Sequence, residues 1–193
     1  MSIKNLKENI KGCTICTKHL PLGPRPVVSF SPQSKILIIG QAPGTKVHNS
    51  GIPWDDASGK RLREWMNLSD VDFYDTSKIA IVPMGFCYPG RGKSGDLPPR
   101  KECAPEWHHR IMAYLPDLQL TLLIGQYAQR YYLQKRIKAN LTQTVENFEA
   151  YLPDYFPLVH PSPRNQIWMK RNTWFEESVI PVLQKKVKLI LAS

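Results

Sequence analysis

The chain has 193 residues, 42% of them hydrophobic, which suits one globular domain long enough to bury roughly 70% of its unfolded surface. No apolar run approaches the ~18 to 20 residues of a membrane helix, and the opening MSIKNLKENIKGC lacks the apolar core of a secretory leader, so a cytoplasmic setting without membrane contact is expected. Lys and Arg number 26 against 16 Asp and Glu, and a formal charge of +10 draws in polyanions and disfavours cationic partners.

In chain order, the first chemical feature is the pair Cys13-x2-Cys16. Lys35-Ile36-Leu37-Ile38-Ile39 follows, a continuous apolar run closed by Gly40 that reads as a buried parallel strand. Ser58 to Leu68 puts Leu62, Trp65 and Met66 on one face and Lys60, Arg61 and Arg63 elsewhere. It reads as an amphipathic helix with Ser58 near its N-cap. Ile79-Ala80-Ile81-Val82 is a second strand, Pro105 to Leu115 a second helix, and Leu120-Thr121-Leu122-Leu123-Ile124 a third strand stopped by Gly125. A helix from Tyr127 to about Gln134 comes next, then the short strand Phe156-Pro157-Leu158-Val159 and a long helix from Trp174 to Lys186.

The prolines gather at 21–32, 83–105 and 153–163, which marks loops. With no repeat and no break in composition, residues 1–193 are expected to form a single domain. The alternation predicts an α/β fold, a three-layer α/β/α sandwich around a central, mostly parallel, four-stranded sheet. Ligands of such sheets collect beyond the carboxyl ends of the strands, which singles out the loops after Ile39 and Val159.

The first of these loops is Gly40-Gln41-Ala42-Pro43-Gly44, whose glycines expose backbone N–H groups and let a ligand approach closely. The second is His160-Pro161-Ser162-Pro163-Arg164-Asn165, stiffened by two prolines and rich in donors that suit phosphates or a developing anion. Four cysteines in a cytosolic protein argue against disulfides. Cys13 and Cys16 with Cys87-x15-Cys103 form a donor set that suits either zinc or an iron–sulfur cluster.

GQAPG after the first strand and HPSPRN after the last resemble the two signature motifs of the uracil-DNA glycosylase superfamily. Gly51-Ile52-Pro53-Trp54 resembles the segment whose aromatic ring stacks on a flipped base, and Leu123-Ile124-Gly125-Gln126-Tyr127-Ala128 resembles the strand–Gly–helix step of the iron–sulfur subgroup. The cysteine pattern is similar to that subgroup's. The resemblance implies a [4Fe–4S] cluster on Cys13, Cys16, Cys87 and Cys103, with zinc as the alternative. It also implies a DNA partner carrying a damaged base, and a monomer is the default.

The resemblance further implies roles for particular residues. Trp54 would stack on the base, and Gly40, Ala42 and Pro43 would line it together with the backbone of Gln41. Gln41 would stand with Asp56 and His160 in the catalytic set, where His160 would stabilise the departing anion. Ser162, Arg164 and Asn165 would hold the DNA, with Arg164 beside Pro163 as the wedge. Three departures matter. The subgroup usually has Glu where this chain has Gln41, and the best-known uracil enzymes have Asp where this chain has Ala42. Glutamine cannot take a proton from water, so Asp56, beside Asp55 and next to Trp54, becomes the expected water activator or cation stabiliser. The competing reading is that Asp55 and Asp56 cap the next helix.

Relatives also place an Asn at the end of the second strand to read uracil. Here Ile81-Val82-Pro83-Met84-Gly85-Phe86-Cys87 has no amide, although Asn49 or Asn165 could supply one from elsewhere. The loop from Tyr88 to Arg100 reads either as a carrier of Arg91, Lys93 and Arg100 to phosphates or as a flexible solvated segment. The expected function is hydrolysis of the N-glycosidic bond of a deaminated base in DNA. The alternative is a catalytically impaired damage-recognition protein.

Overall fold

The computed structural model describes residues 2–93 and 95–192. In chain order the elements are α1 (Ile3–Lys11), β1 (Ile36–Ile39), α2 (Thr45–Ser50), α3 (Ala57–Met66), α4 (Asp70–Tyr74), β2 (Ile79–Ile81) and the two short strands β3 (Arg91–Gly92) and β4 (Gly95–Asp96). Then come α5 (Cys103–Met112), β5 (Leu120–Ile124), α6 (Gln126–Leu133), α7 (Leu141–Glu146), β6 (Tyr155–Leu158), α8 (Gln166–Arg171) and α9 (Ile180–Ala192).

β1, β2, β5 and β6 form one all-parallel sheet in the order β2-β1-β5-β6. Nearly every residue in it is buried, because helices cover both faces and each strand must be apolar throughout. Alternation divides the core in two. Ile36, Ile38, Ile79, Ile81, Leu122, Phe156 and Leu158 pack on one face with Leu62, Trp65, Phe175 and Leu183 from α3 and the C-terminal helical segment. Leu37, Ile39, Ala80, Val82 and Leu123 pack on the other with Leu6 and Ile10 of α1, Trp107 and Ile111 of α5, and Ala128 and Leu133 of α6. These are the two outer layers expected from the alternating pattern.

Two local readings change. Ser58 does not cap α3: it is buried inside the helix, and Asp56 is the cap, its Oδ1 accepting from the Gly59 N–H at 2.8 Å. The cap oxygen must come from three residues before that N–H, a place that Asp56 holds. The Tyr88–Arg100 segment is not a featureless loop. Arg91 pairs with Asp96 and Gly92 with Gly95 in an antiparallel hairpin.

Candidate active site

The loops after β1 and β6 meet over the carboxyl ends of the strands and enclose a cleft of about 260 Å³. The GQAPG loop is zipped to the chain beyond β2, with the Met84 and Gly85 N–H groups donating to the Gly40 and Gln41 carbonyls at 2.9 Å each. Gly40, Gln41, Ala42, Pro43, Trp54, Asp56, His160, Ser162 and Arg164 all line the cleft. Asn165 does not line it. Its amide donates to the His160 carbonyl at 2.8 Å and closes the second loop on itself. Asp55 and Asn49 also lie outside the cleft wall.

Trp54 sits in the left-handed region at φ 58°, a costly conformation for a bulky side chain. Two glycines hold it there. A Cβ on Gly40 would stand 2.7 Å from the indole Cζ2, and one on Gly59 would overlap the Trp54 carbonyl oxygen, so bare backbone at both places lets the ring lie across the strand end. Arg63 of α3 donates to the Trp54 carbonyl at 3.4 Å, and Arg61 donates to the Ser162 carbonyl at 3.4 Å. One helix therefore braces both loops.

The indole and the His160 ring lie 5.5 Å apart, centroid to centroid, at 34°. Burial lowers the His160 pKa below the usual histidine range, while nearby Asp56 opposes the shift. The ring is thus neutral near pH 7 and offers one N–H donor and one acceptor. Asp56 caps α3 through Oδ1, and it also lines the cleft.

Three features of the site escaped the sequence reading. Asp96, on the hairpin, lines the cleft, and its Oδ2 would lie 3.2 Å from a Cβ on Gly44. Gln41 ties that hairpin down, its Nε2 donating to the Leu97 carbonyl at 3.1 Å. A carboxylate at this position would have no hydrogen to donate at neutral pH, so the tether depends on the amide. Arg164 lies against Gly95, which places the second loop on the other side of the same hairpin. Beyond these three, behind the cleft, the His108 Nε2–H donates to the Pro83 carbonyl at 3.0 Å and its Nδ1 accepts from the Tyr132 hydroxyl at 2.6 Å. Burial pushes His108 down to about 4 and Tyr132 up, so both remain neutral.

The four cysteines come from the end of α1, the chain after β2 and the start of α5, and all line one small apolar cavity with Phe86, Arg100 and Trp107. All four are free thiols. The Phe86 N–H donates to Cys103 Sγ at 3.3 Å, and burial pushes Cys87 up to about 11 and Cys103 to about 12. Among the described residues no three His, Cys, Asp or Glu side chains are grouped closely enough to hold a metal ion. Arg100, at the wall of this cavity, pairs with Glu102 at 2.6 Å, whereas Arg91 and Lys93 are exposed on the hairpin.

A parallel α/β/α domain with net positive charge and a strand-end cleft holding an indole, a carboxylate and a neutral imidazole has the parts needed to receive and act on an aromatic group carried by a polyanion. The sequence model of the Uracil DNA glycosylase superfamily matches residues 28–184. The Type-4 uracil-DNA glycosylase of Sulfurisphaera tokodaii is 22% identical over 169 residues, covering 83% of this chain and 74% of that protein. The chain belongs to the uracil DNA glycosylase superfamily.

Proposed function

We propose that this protein hydrolyses the N-glycosidic bond of a deaminated base, uracil or a relative, in DNA. The observation that carries this reading is the convergence of Trp54, Asp56 and His160 on one cleft at the strand ends. A base rotated out of the stack would lie on the indole, and its unstacking cost would be offset by that contact. As the bond from C1′ to the base nitrogen breaks, positive charge grows on the sugar and negative charge on the base. Asp56 would stabilise the first and orient the attacking water. The His160 N–H would donate to the base oxygen and stabilise the second. Water's oxygen bonds to C1′ as the bond to the base nitrogen breaks, the proton it sheds passes by way of the Asp56 carboxylate to solvent, and the base departs as an anion that takes up a proton from solvent. Gln41 has no part in moving that proton and serves as the tether of the hairpin. Gly40, Ala42 and Pro43 shape the wall, Ser162 and Arg164 meet the DNA, and Asn165 holds their loop.

The Ile81–Cys87 stretch offers no side-chain amide, since Pro83 stands there, so the choice among uracil, hypoxanthine and xanthine would fall to the other polar groups of the wall, Gln41, Asp96 and the backbone among them. The test is alkaline cleavage of oligonucleotides carrying each base. Abasic product should form with at least one and vanish in Asp56→Asn and His160→Ala. Binding to damaged DNA without product from any of them would instead mark a damage-recognition protein.

The donor set of Cys13, Cys16, Cys87 and Cys103 fits a [4Fe–4S] cluster. The support for a centre here is that all four thiols line one cavity, and an all-sulfur donor set suits an iron–sulfur cluster, with zinc as the alternative. A bound cluster would supply cationic iron to buried thiolates and tie α1, the chain after β2 and α5 together. A setting in the cytoplasm and action as a monomer complete the proposal.

A further inference from the structure

Beside the cleft runs a second, open groove of about 450 Å³, walled by Pro98, Pro99 and Lys101 on one side and by Tyr127, Arg130 and Tyr131 of α6 on the other. None of its lining residues is acidic. Tyr127, Arg130 and Tyr131 fall at i, i+3 and i+4, so one helical face presents two rings and a guanidinium together. Tyr131 is 39% exposed, and its ring is backed by Tyr132 at 5.2 Å and His108 at 6.1 Å, centroid to centroid. Both contacts are edge-on and support one side of the ring. Among the described residues Lys101 and Arg130 make no ion pair, whereas Arg100 is held by Glu102.

The groove adjoins the cleft. Pro83 lines the cleft and its neighbour Met84 lines the groove. Leu97, tethered to Gln41, leads directly into Pro98. At the far side, Gly125 at the start of α6 lies 3.9 Å from the His160 Cβ when a Cβ is built on it. The cleft and the groove share no lining residue, and the exposed Leu97 stands on the chain between Asp96 of the cleft wall and Pro98 of the groove wall, a short surface step for a strand whose base occupied the cleft.

We propose that this groove is a track for single-stranded DNA flanking the target nucleotide, with Tyr131 as the stacking platform and Lys101 and Arg130 as phosphate contacts. The inference rests on the glycosylase reading for the identity of the strand. Aromatic rings beside a cationic wall bind single strands without sequence preference, because every base offers a face to stack on.

The test is fluorescence anisotropy of a labelled, undamaged single-stranded oligonucleotide, beside steady-state turnover on the damaged one. Tyr131→Ala should weaken binding about tenfold and Tyr131→Phe should restore it. The double variant Lys101→Ala/Arg130→Ala, both exposed positions, should lower the salt slope of log K by about 1.4, or ~0.7 per phosphate lost. Turnover at saturating substrate should hold in all three. Unchanged affinity and salt slope would overturn the groove while leaving abasic-site formation intact. A Tyr131→Phe protein as weak as Tyr131→Ala would also overturn it, since the hydroxyl rather than the ring face would then matter. Lost binding in these variants, in a protein that never forms abasic sites, would instead sink the glycosylase reading and leave the groove standing.

Discussion

The cleft and the thiol cavity are built from the same stretch of chain yet work by opposite means. Both hang on the segment after β2, where Pro83 faces the cleft and Cys87, four residues later, faces the cavity. The cleft gathers polar groups on braced loops, and its capacity lies in where an N–H or a carboxylate points. The cavity gathers thiols between α1, α5 and this segment, and its capacity lies in holding three pieces of chain together. Damage to the first should therefore cost chemistry without stability, and damage to the second should cost stability first.

The largest effect should come from the cavity. Cys87→Ser, or removal by a chelator of the centre proposed for the four thiols, should cost about 3–5 kcal/mol and lower the melting temperature by about 10 °C. A brown protein that bleaches as it destabilises fits this expectation. A colourless one with one equivalent of zinc would replace the cluster. Asp56→Asn is the counterpart in the cleft. Asparagine caps helices as well as aspartate does, so the melting temperature should stay while kcat falls about 10²- to 10³-fold, ~3 to 4 kcal/mol in the barrier. A matching drop in melting temperature would reduce Asp56 to a helix cap.

A smaller effect joins the two regions through His108, behind Pro83. Its folded pKa lies below the unfolded value, so the unfolded chain binds more protons between those two values. Stability is complete above about pH 6.5 and is lost as pH falls toward about 4, by on the order of 3 kcal/mol at most. Urea unfolding at pH 7 and pH 4.5 should show the loss, and His108→Asn should flatten it. His48 and His160, also lowered by burial, add slope of the same sign. The smallest effect is at the tether. Gln41→Glu sets a carboxylate against the Leu97 carbonyl and should raise KM about fivefold, near 1 kcal/mol, with kcat little changed. A gain in kcat would show that a carboxylate there resumes proton transfer.

The strands were legible because a sheet covered on both faces must be apolar throughout, and Ile36–Ile39 and Leu120–Ile124 admit no other reading. The helices α3, α5 and α6 were found within a few residues, whereas α1 went unread although Leu6 and Ile10 share its buried face, and the last helix runs on to Ala192, six residues past its expected end at Lys186. Short ones such as α2, α4, α7 and α8 carry too few turns to show a period. The two motif loops and their convergence followed from strand-end geometry together with resemblance. Asp96 and the tether at Gln41 did not, because each depends on a contact across 50 or more residues, made by a backbone carbonyl or a hairpin that leaves no pattern in the side chains. The cap of α3 was misplaced by two residues because Ser58 and Asp56 are both good caps, and only the fold shows which one meets the Gly59 N–H.

The missing Cβ at Gly40 sets the calibre of the pocket. With the indole Cζ2 only 2.7 Å from where that atom would be, one added methyl group has no room behind the ring and must drive Trp54 forward into the space a base would fill. A smaller ring at position 54 would do the reverse and open depth at the strand end, where the bicyclic purines need more than a pyrimidine does. Under the proposed stacking on Trp54, the depth left for a base would be limited from behind the ring, where the closing glycine of β1 carries only hydrogen.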